Sequence, residues 1–470
     1  MVLWVGMPHP HWQKTAVLAL LFVGTFSVNQ GVVQGAQALK LKRGLIPLLH
    51  AAERNYPGLD AIQHKIAAAE AKLGEAWVSP FFQFEVTGAF GLAPEAQGTP
   101  VFSPNSELPL GNSWAPVTRV GIEGAVPLWT FGKLGAARDA ARAGVKASKH
   151  EEAQVRARLY YDVKRAYYAL QLSLDALQMV SEGRGRLHSA VESLEKRIEA
   201  GDPDANEMDR WRLSSTVSEI EGRTADAHQL EASSRQALRV LTGLRDINEQ
   251  QCPAEVIDFQ PRPLGWYQQA ARLHRPEIQM LLAGLDARRA QADLAEASYF
   301  PDLALALSMT YGYAPGIDDQ NNPFVVDRAN TRGLTAGLVA RWSLDFWGNA
   351  YREENADELL LQTRFQGDEA MRGVITEVSA VYYELQSALS RESAWQNGHH
   401  DTRAWFLSAA QAYQVGTIEP RDLVDAIRAY FTARFNHMTA IRDFNSAAAN
   451  LERVVGTPLM PLARWERPCE

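Results

Sequence analysis

The chain repeats itself. Residues 162–171 read DVKRAYYALQ and residues 377–386 read EVSAVYYELQ, so Val163, Tyr167, Tyr168, Leu170 and Gln171 recur as Val378, Tyr382, Tyr383, Leu385 and Gln386. The two stretches stand 215 residues apart (382 − 167), far beyond the period of a solenoid repeat. The chain therefore reads as a duplicated half, and a fold must give two copies of one pattern equivalent roles.

Composition narrows the class. Hydrophobic residues at 46% and charged residues at 22% exclude a disordered chain. A formal net charge of −8 offers no basic footprint, so nucleic acid is dropped as a partner. Residues 1–38 read as an export signal: Lys14, an apolar stretch too short for a comfortable bilayer span, then Ala36-Gln37-Ala38 as a small-x-small cleavage site. Downstream there is no further apolar run of bilayer length, so any membrane contact must come from strands. The two cysteines, Cys252 and Cys469, each follow a helix-ending glycine, Gly243 or Gly456; in an exported protein a disulfide and two separate thiols are both open.

Taken in order, the segment from Tyr56 to Trp77 has helix-favouring composition and stops at Pro80. Phe82, Phe84, Val86 and Phe90 then alternate with polar residues, and Val120, Ile122, Val126 and Leu128 do so again after a Pro/Gly/Asn-rich loop at 91–116. That is a hairpin of two strands. Past Phe131-Gly132 a proline-free helical run begins, carrying Leu159, Val163, Ala166, Leu170 and Leu177 at three- and four-residue spacings, with Gly183 and Gly185 as candidate kinks. The turn GDPDANEMD sends the chain back along a second helix to Gly243. Residues 244–265 read as an irregular link. The second half follows the same order, with Pro276 answering Pro57, strands at 303–313 and 334–342 around a loop at 314–332, and Phe346-Trp347-Gly348 answering Phe131-Gly132. Its long helix ends near Asn397-Gly398 or continues to VGTIEPRD, and a last helix runs from Arg421 to Val455.

Strands of about ten residues match a tilted bilayer crossing, but four cannot close a barrel and open edges are not tolerated in lipid. Copies must combine, and counting alone leaves two or three open.

The order of these parts resembles the TolC-like outer-membrane efflux proteins: strand-Gly-helix junctions, two long helical hairpins, YY-x-LQ in each half, a V-G-T turn and a closing V-V-G-T-P, from about residue 44 to 458. The resemblance implies a mostly α protein with a membrane β-barrel contribution, built of two structural repeats. Each repeat holds long antiparallel coiled-coil helices and a two-strand hairpin, and a homotrimer makes a 12-strand β-barrel and a 12-helix α-barrel. Segments 39–77, 134–298 and 350–455 would form the periplasmic tunnel, with irregular parts at 244–265 and 456–470. Segments 80–130 and 300–347 would form the barrel hairpins in outer-membrane lipid.

The implied function is a passive exit duct of a tripartite efflux or type I secretion system, working with a periplasmic adaptor and an inner-membrane pump and needing no cofactor. Its adaptor-docking tip turns would be Gly201, Asp202 and Pro203 in one hairpin and Gly416, Thr417 and Ile418 in the other. Asp422 and Asp425 match the acidic positions of the family's aperture, and Tyr413 matches a tyrosine that helps hold the tip shut. Ile418 stands where an arginine partner is found in the family, and Pro420 is an additional break.

Rival readings are an enzyme and a periplasmic coiled-coil scaffold without membrane passage. His399-His400-Asp401 is the nearest thing to a metal motif, yet adjacent histidines on a helix face different ways. Gly183-Arg184-Gly185 lacks the preceding strand that phosphate binding needs.

Overall fold

The computed structural model describes residues 44–465 apart from 82, 99–112, 202–206, 248–253, 322, 325 and 416. The proposed signal segment and both cysteines lie outside the described residues, as do Asp202, Pro203 and Gly416. In chain order the elements are α1 (Leu45–Asn55), α2 (Pro57–Val78), β1 (Gln83–Pro94), β2 (Trp114–Trp129), α3 (Lys133–Glu199) and α4 (Glu207–Thr242). The second half gives α5 (Leu264–His274), α6 (Pro276–Ala297), β3 (Asp302–Tyr313), β4 (Arg332–Arg341), α7 (Phe346–Gln414) and α8 (Pro420–Val455). The halves match in length: 11 residues in α1 and α5, 22 in α2 and α6, 12 in β1 and β3, 36 in α4 and α8.

Local chemistry explains the joints. Pro57 and Pro276 begin their helices, where the missing N–H costs nothing, and hold Tyr56 and Arg275 extended. Gly243 and Gly456 end α4 and α8 at φ 69° and 77°. The same two glycines press on the equivalent corner of each half: a Cβ would lie 2.9 Å from Asn55 Cβ at the first and 2.6 Å from Arg275 Cα at the second. Only glycine satisfies both demands.

Several expectations need correction. α1 and α5 are separate helices, so the link ends at Leu264, and the residue before each proline is where α1 breaks from α2 and α5 from α6. The first external loop is shorter at both ends, because β1 pairs with β2 from Gln83↔Ala125 to Pro94↔Trp114. α3 runs unbroken through Gly183 and Gly185; of the two ends left open for the second long helix, α7 takes the later one, running through Asn397-Gly398 to Gln414 as expected. An isolated helix-interior glycine costs about 1 kcal/mol, which the packing of a helix this long absorbs.

The strands form one antiparallel sheet in the order β1-β2-β3-β4, so β1 and β4 are its edges. Its register gathers Phe84, Val86, Ile122, Met309, Leu334 and Leu338 on one face, and Glu85, Glu123, Ser308 and Thr335 in one row on the other. Among the described residues no helix is long and apolar enough to cross a membrane.

The main core lies midway along the helices and contains both repeated stretches. Tyr167 and Tyr382 are buried there, and their hydroxyls accept from Gln171 and Gln386 Nε2 at 3.1 and 2.9 Å. The motif YY-x-LQ is thus one helical turn closed by its own glutamine. The second tyrosines diverge: Tyr168 is buried and donates to the Trp465 carbonyl at 3.0 Å, whereas Tyr383 is 59% exposed. Trp465 also covers Lys164, whose ammonium lies 3.4 Å from the indole centroid and 2.6 Å from Glu452 Oε1. Burial holds the Lys164 ammonium below the ordinary lysine range despite that carboxylate.

The link between halves is fixed by Asp175 on α3, which accepts from the Ala254 backbone N–H at 2.7 Å. Burial pushes its carboxyl up to about 6, against the opposing pulls of that N–H and of Arg434. Because the folded value is raised, the native state holds this proton more tightly than the unfolded chain. The resulting stabilisation is complete below the ordinary carboxylate value and is lost as pH rises through about 6. Asp175→Asn keeps an acceptor for Ala254 and removes the charge. In thermal unfolding of the detergent-solubilised protein it is expected to raise stability at pH 7.5 by ~1–3 kcal/mol, with little change at pH 3.5; an equal effect at both pH values contradicts the assignment.

Candidate functional site: the helical tip

α3 and α4, and α7 and α8, form two antiparallel hairpins, so the ends of α3 and α7 and the starts of α4 and α8 are the far end of the helical part from the sheet. Above them Leu194, Leu213, Phe406, Val424 and Ile427 form a small core drawn from all four helices. Phe406 stacks on Tyr430 at 5.3 Å between ring centroids. Val424 and Ile427 supply the buried side of α8. Asp422 and Asp425 are one turn apart at the start of α8, Asp425 on its exposed stripe and Asp422 half-exposed near the buried Ala426.

Each turn is closed by its own backbone. Gly201 takes φ 76° and donates to the Ile198 carbonyl at 3.0 Å, a conformation that favours glycine. In the second turn the N–H and hydroxyl of Thr417 both donate to the Ala412 carbonyl at 2.9 Å. Pro420 is the first residue of α8 and so starts that helix; it does not act as an extra break. Asp422 lies beside Arg421 at 3.6 Å, and Arg421 also reaches Glu419 at 3.4 Å.

Tyr413 has a partner that sequence reasoning missed. Arg197 near the end of α3 donates from Nη1 to the Tyr413 hydroxyl at 3.3 Å, with its guanidinium 5.8 Å from the ring centroid. This arginine comes from the other hairpin, 216 residues away in sequence. Arg197 alone carried no distinguishing pattern, being one of two basic residues in the last turn of α3.

Farther up the same hairpin, His399 stacks between Tyr430 and His437, each at 5.6 Å between centroids, and His437 Nε2 lies 3.3 Å from Glu392 Oε1. Burial first, then the neighbouring His437 and Arg434, hold the His399 imidazole below its ordinary range. His400 faces solvent beside Asp401 at 3.2 Å. Among the described residues no group of three His, Cys, Asp or Glu is placed to hold a metal ion.

The Arg197–Tyr413 contact joins the two hairpins where their cores end. Tyr413→Phe removes the acceptor and keeps the ring; Arg197→Gln removes hydrogen bond and cation–π contact together. Hydrogen exchange at residues 411–417 is expected to speed up about three- to tenfold in the first variant, as for one net hydrogen bond, and more in the second. The double variant should add little to Arg197→Gln; full additivity would show that the two side chains do not act on each other.

Known proteins share both sequence and fold with this chain. The family described as outer membrane efflux protein matches residues 48–244 and 266–457. The cation efflux system protein CusC of Escherichia coli (strain K12) is 23% identical over 321 residues, covering 67% of each chain. A crystal structure of CusC aligns with TM-score 0.73 at 18% identity, covering 88% of this chain and 92% of that one. The outer membrane protein VceC of Vibrio cholerae aligns with TM-score 0.69 at 17% identity, covering 88% and 97%. Long paired hairpins joined to a four-stranded sheet, with the family match running through both halves, place the chain in the outer membrane efflux protein family, as a channel subunit that sits in the outer membrane and extends into the periplasm.

Proposed function

We propose that three copies of this chain form a passive exit duct, with twelve strands closed as a barrel in the outer membrane and twelve long helices continuing as a tunnel across the periplasm. The observation that carries the reading is one four-stranded sheet with an apolar face and two single-sided edges, running directly into helices of 67 and 69 residues. Edges of that kind demand closure in hydrocarbon, and helices of this length span on the order of 100 Å. The row Glu85, Glu123, Ser308 and Thr335 gives the opposite sheet face the polarity a water-filled lumen requires.

The tip is the gate in this reading. Three copies of Asp422 and Asp425 around one axis place six carboxylates in a constriction, which attracts cations and repels anions. The Arg197–Tyr413 contact ties the hairpins in the closed arrangement, and the two turns offer the surface on which a periplasmic adaptor docks. An inner-membrane pump supplies the energy, since the duct has no reaction of its own.

Asp422→Ala with Asp425→Ala is expected to reduce the preference for cations in single-channel recordings in planar bilayers and to weaken block by multivalent cations. Unchanged reversal potentials under a salt gradient would remove these residues from the aperture.

A further inference from the structure

The matched halves let a contact inside the chain locate one that a single chain lacks. α3 and α7 keep register at 215 residues (346 − 131), and α4 and α8 at 213 (420 − 207). Within the chain α3 packs on α8, while α4 and α7 share no comparable packing.

The α3–α8 contact is close-fitting, with large α3 side chains at Leu172 and Met179 and a small one at Gly183, and it has a definite division of charge. On α3 the buried positions include Ala176, Val180 and Gly183; on α8 the bulk comes from Ile427, Phe431 and Phe435. Phe431 lies so close that a Cβ at Gly183 would stand 2.9 Å from its ring. The acids are on α3 and the base on α8: Arg434 binds Glu182 at 2.7 Å and its charge acts on Asp175.

The corresponding positions of α7 and α4 distribute bulk and charge differently. Where α3 has Ala176 and Val180, α7 carries Arg391 and Trp395, both exposed. Where α8 has Ile427, Phe431 and Phe435, α4 carries Ser214, Ser218 and Gly222, an exposed trough of small residues. The base is now on α7, and the counterpart of Arg434 is the exposed acid Glu221. Since Arg434 acts on both Asp175 and Glu182, Glu221 falls between the counterparts of those two, Ser390 and Asn397, beside Arg391. Arg391 donates one N–H to Ser387 Oγ at 2.7 Å, and a guanidinium has further donors for a carboxylate.

We propose that Arg391 and Trp395 of α7 dock into the Ser214–Ser218–Gly222 trough on α4 of a second copy, with Arg391 against Glu221. Bulk meets small residues and base meets acid. The fit also gives the interface direction, because α7 of one copy fits α4 of the next and two α7 faces would clash. The pairing rests on the closed-ring reading and names the surfaces that close it.

A photoreactive benzoylphenylalanine at position 395 of the full-length protein, irradiated in outer membranes and mapped by mass spectrometry, tests this directly. The expected product joins two chains, with the partner peptide lying within Glu207–Thr242 and no such adduct from a probe at Ala404, about two and a half turns along and on the opposite face of α7. Reversing Arg391→Glu or Glu221→Arg alone is expected to lose the heat-stable oligomer on gels, and the double reversal to regain it. An intact oligomer with adducts elsewhere or none, or with single reversals that leave its stability unchanged, overturns the pairing while leaving the closed ring standing. A chain that is monomeric in the membrane overturns both.

Discussion

Backbone hydrogen bonding in hydrocarbon is the constraint on which this structure turns. Every amide and carbonyl at a strand edge needs a partner once water is excluded. β1 and β4 are paired on one side only, so one chain satisfies the rule for its inner strands and not for its outer two. The helical part is uneven in the same way: α3 packs on α8 within the chain, while α4 and α7 share no comparable packing. In the proposed ring, closure in the sheet and closure in the helical part are one requirement met at two levels.

Duplication supplies the backbone for this, and the departures from it tell the halves apart. The corner glycines Gly243 and Gly456 do the same steric work in both, and Tyr167 and Tyr382 are held by the same glutamine contact. At the next residue the symmetry breaks: Trp465 covers Tyr168, and Tyr383 is left exposed. The charges diverge as well. Arg275 binds Glu377 at 2.6 Å, and this guanidinium with Arg453 holds the Glu377 carboxyl below the ordinary range against its own burial. The corresponding residue of the first half is Tyr56, which cannot pair in that way.

Element type and order were legible in the sequence because they rest on short-range periodicity. The alternation of Phe84 and Val86 and the long proline-free runs after Phe131 and Phe346 give strands and helices without reference to the rest of the chain. What the sequence hid was either short or distant. α1 and α5 have 11 residues each, too few for a helical pattern to stand out, and they are held by burial of Leu45, Leu49 and Tyr267 against other helices. Glycines 183 and 185 carried a local signal for a kink that packing overrode. At the tip, the end of α3 was readable from Gly201, but the role of Pro420 as a helix start was not, nor was the partner of Tyr413, because Arg197 reaches it only when two hairpins lie side by side. The carboxylates Asp422 and Asp425 were singled out by family resemblance, and one chain's geometry adds that Asp425 is exposed and Asp422 half-exposed one turn apart.

Native mass spectrometry of the protein extracted from outer membranes in mild detergent addresses the central claim most directly, because closure of four strands into a duct requires a fixed number of chains. The account predicts a single dominant species of three identical chains. A dominant monomer, or a mixture of sizes with no preferred closure, would contradict it.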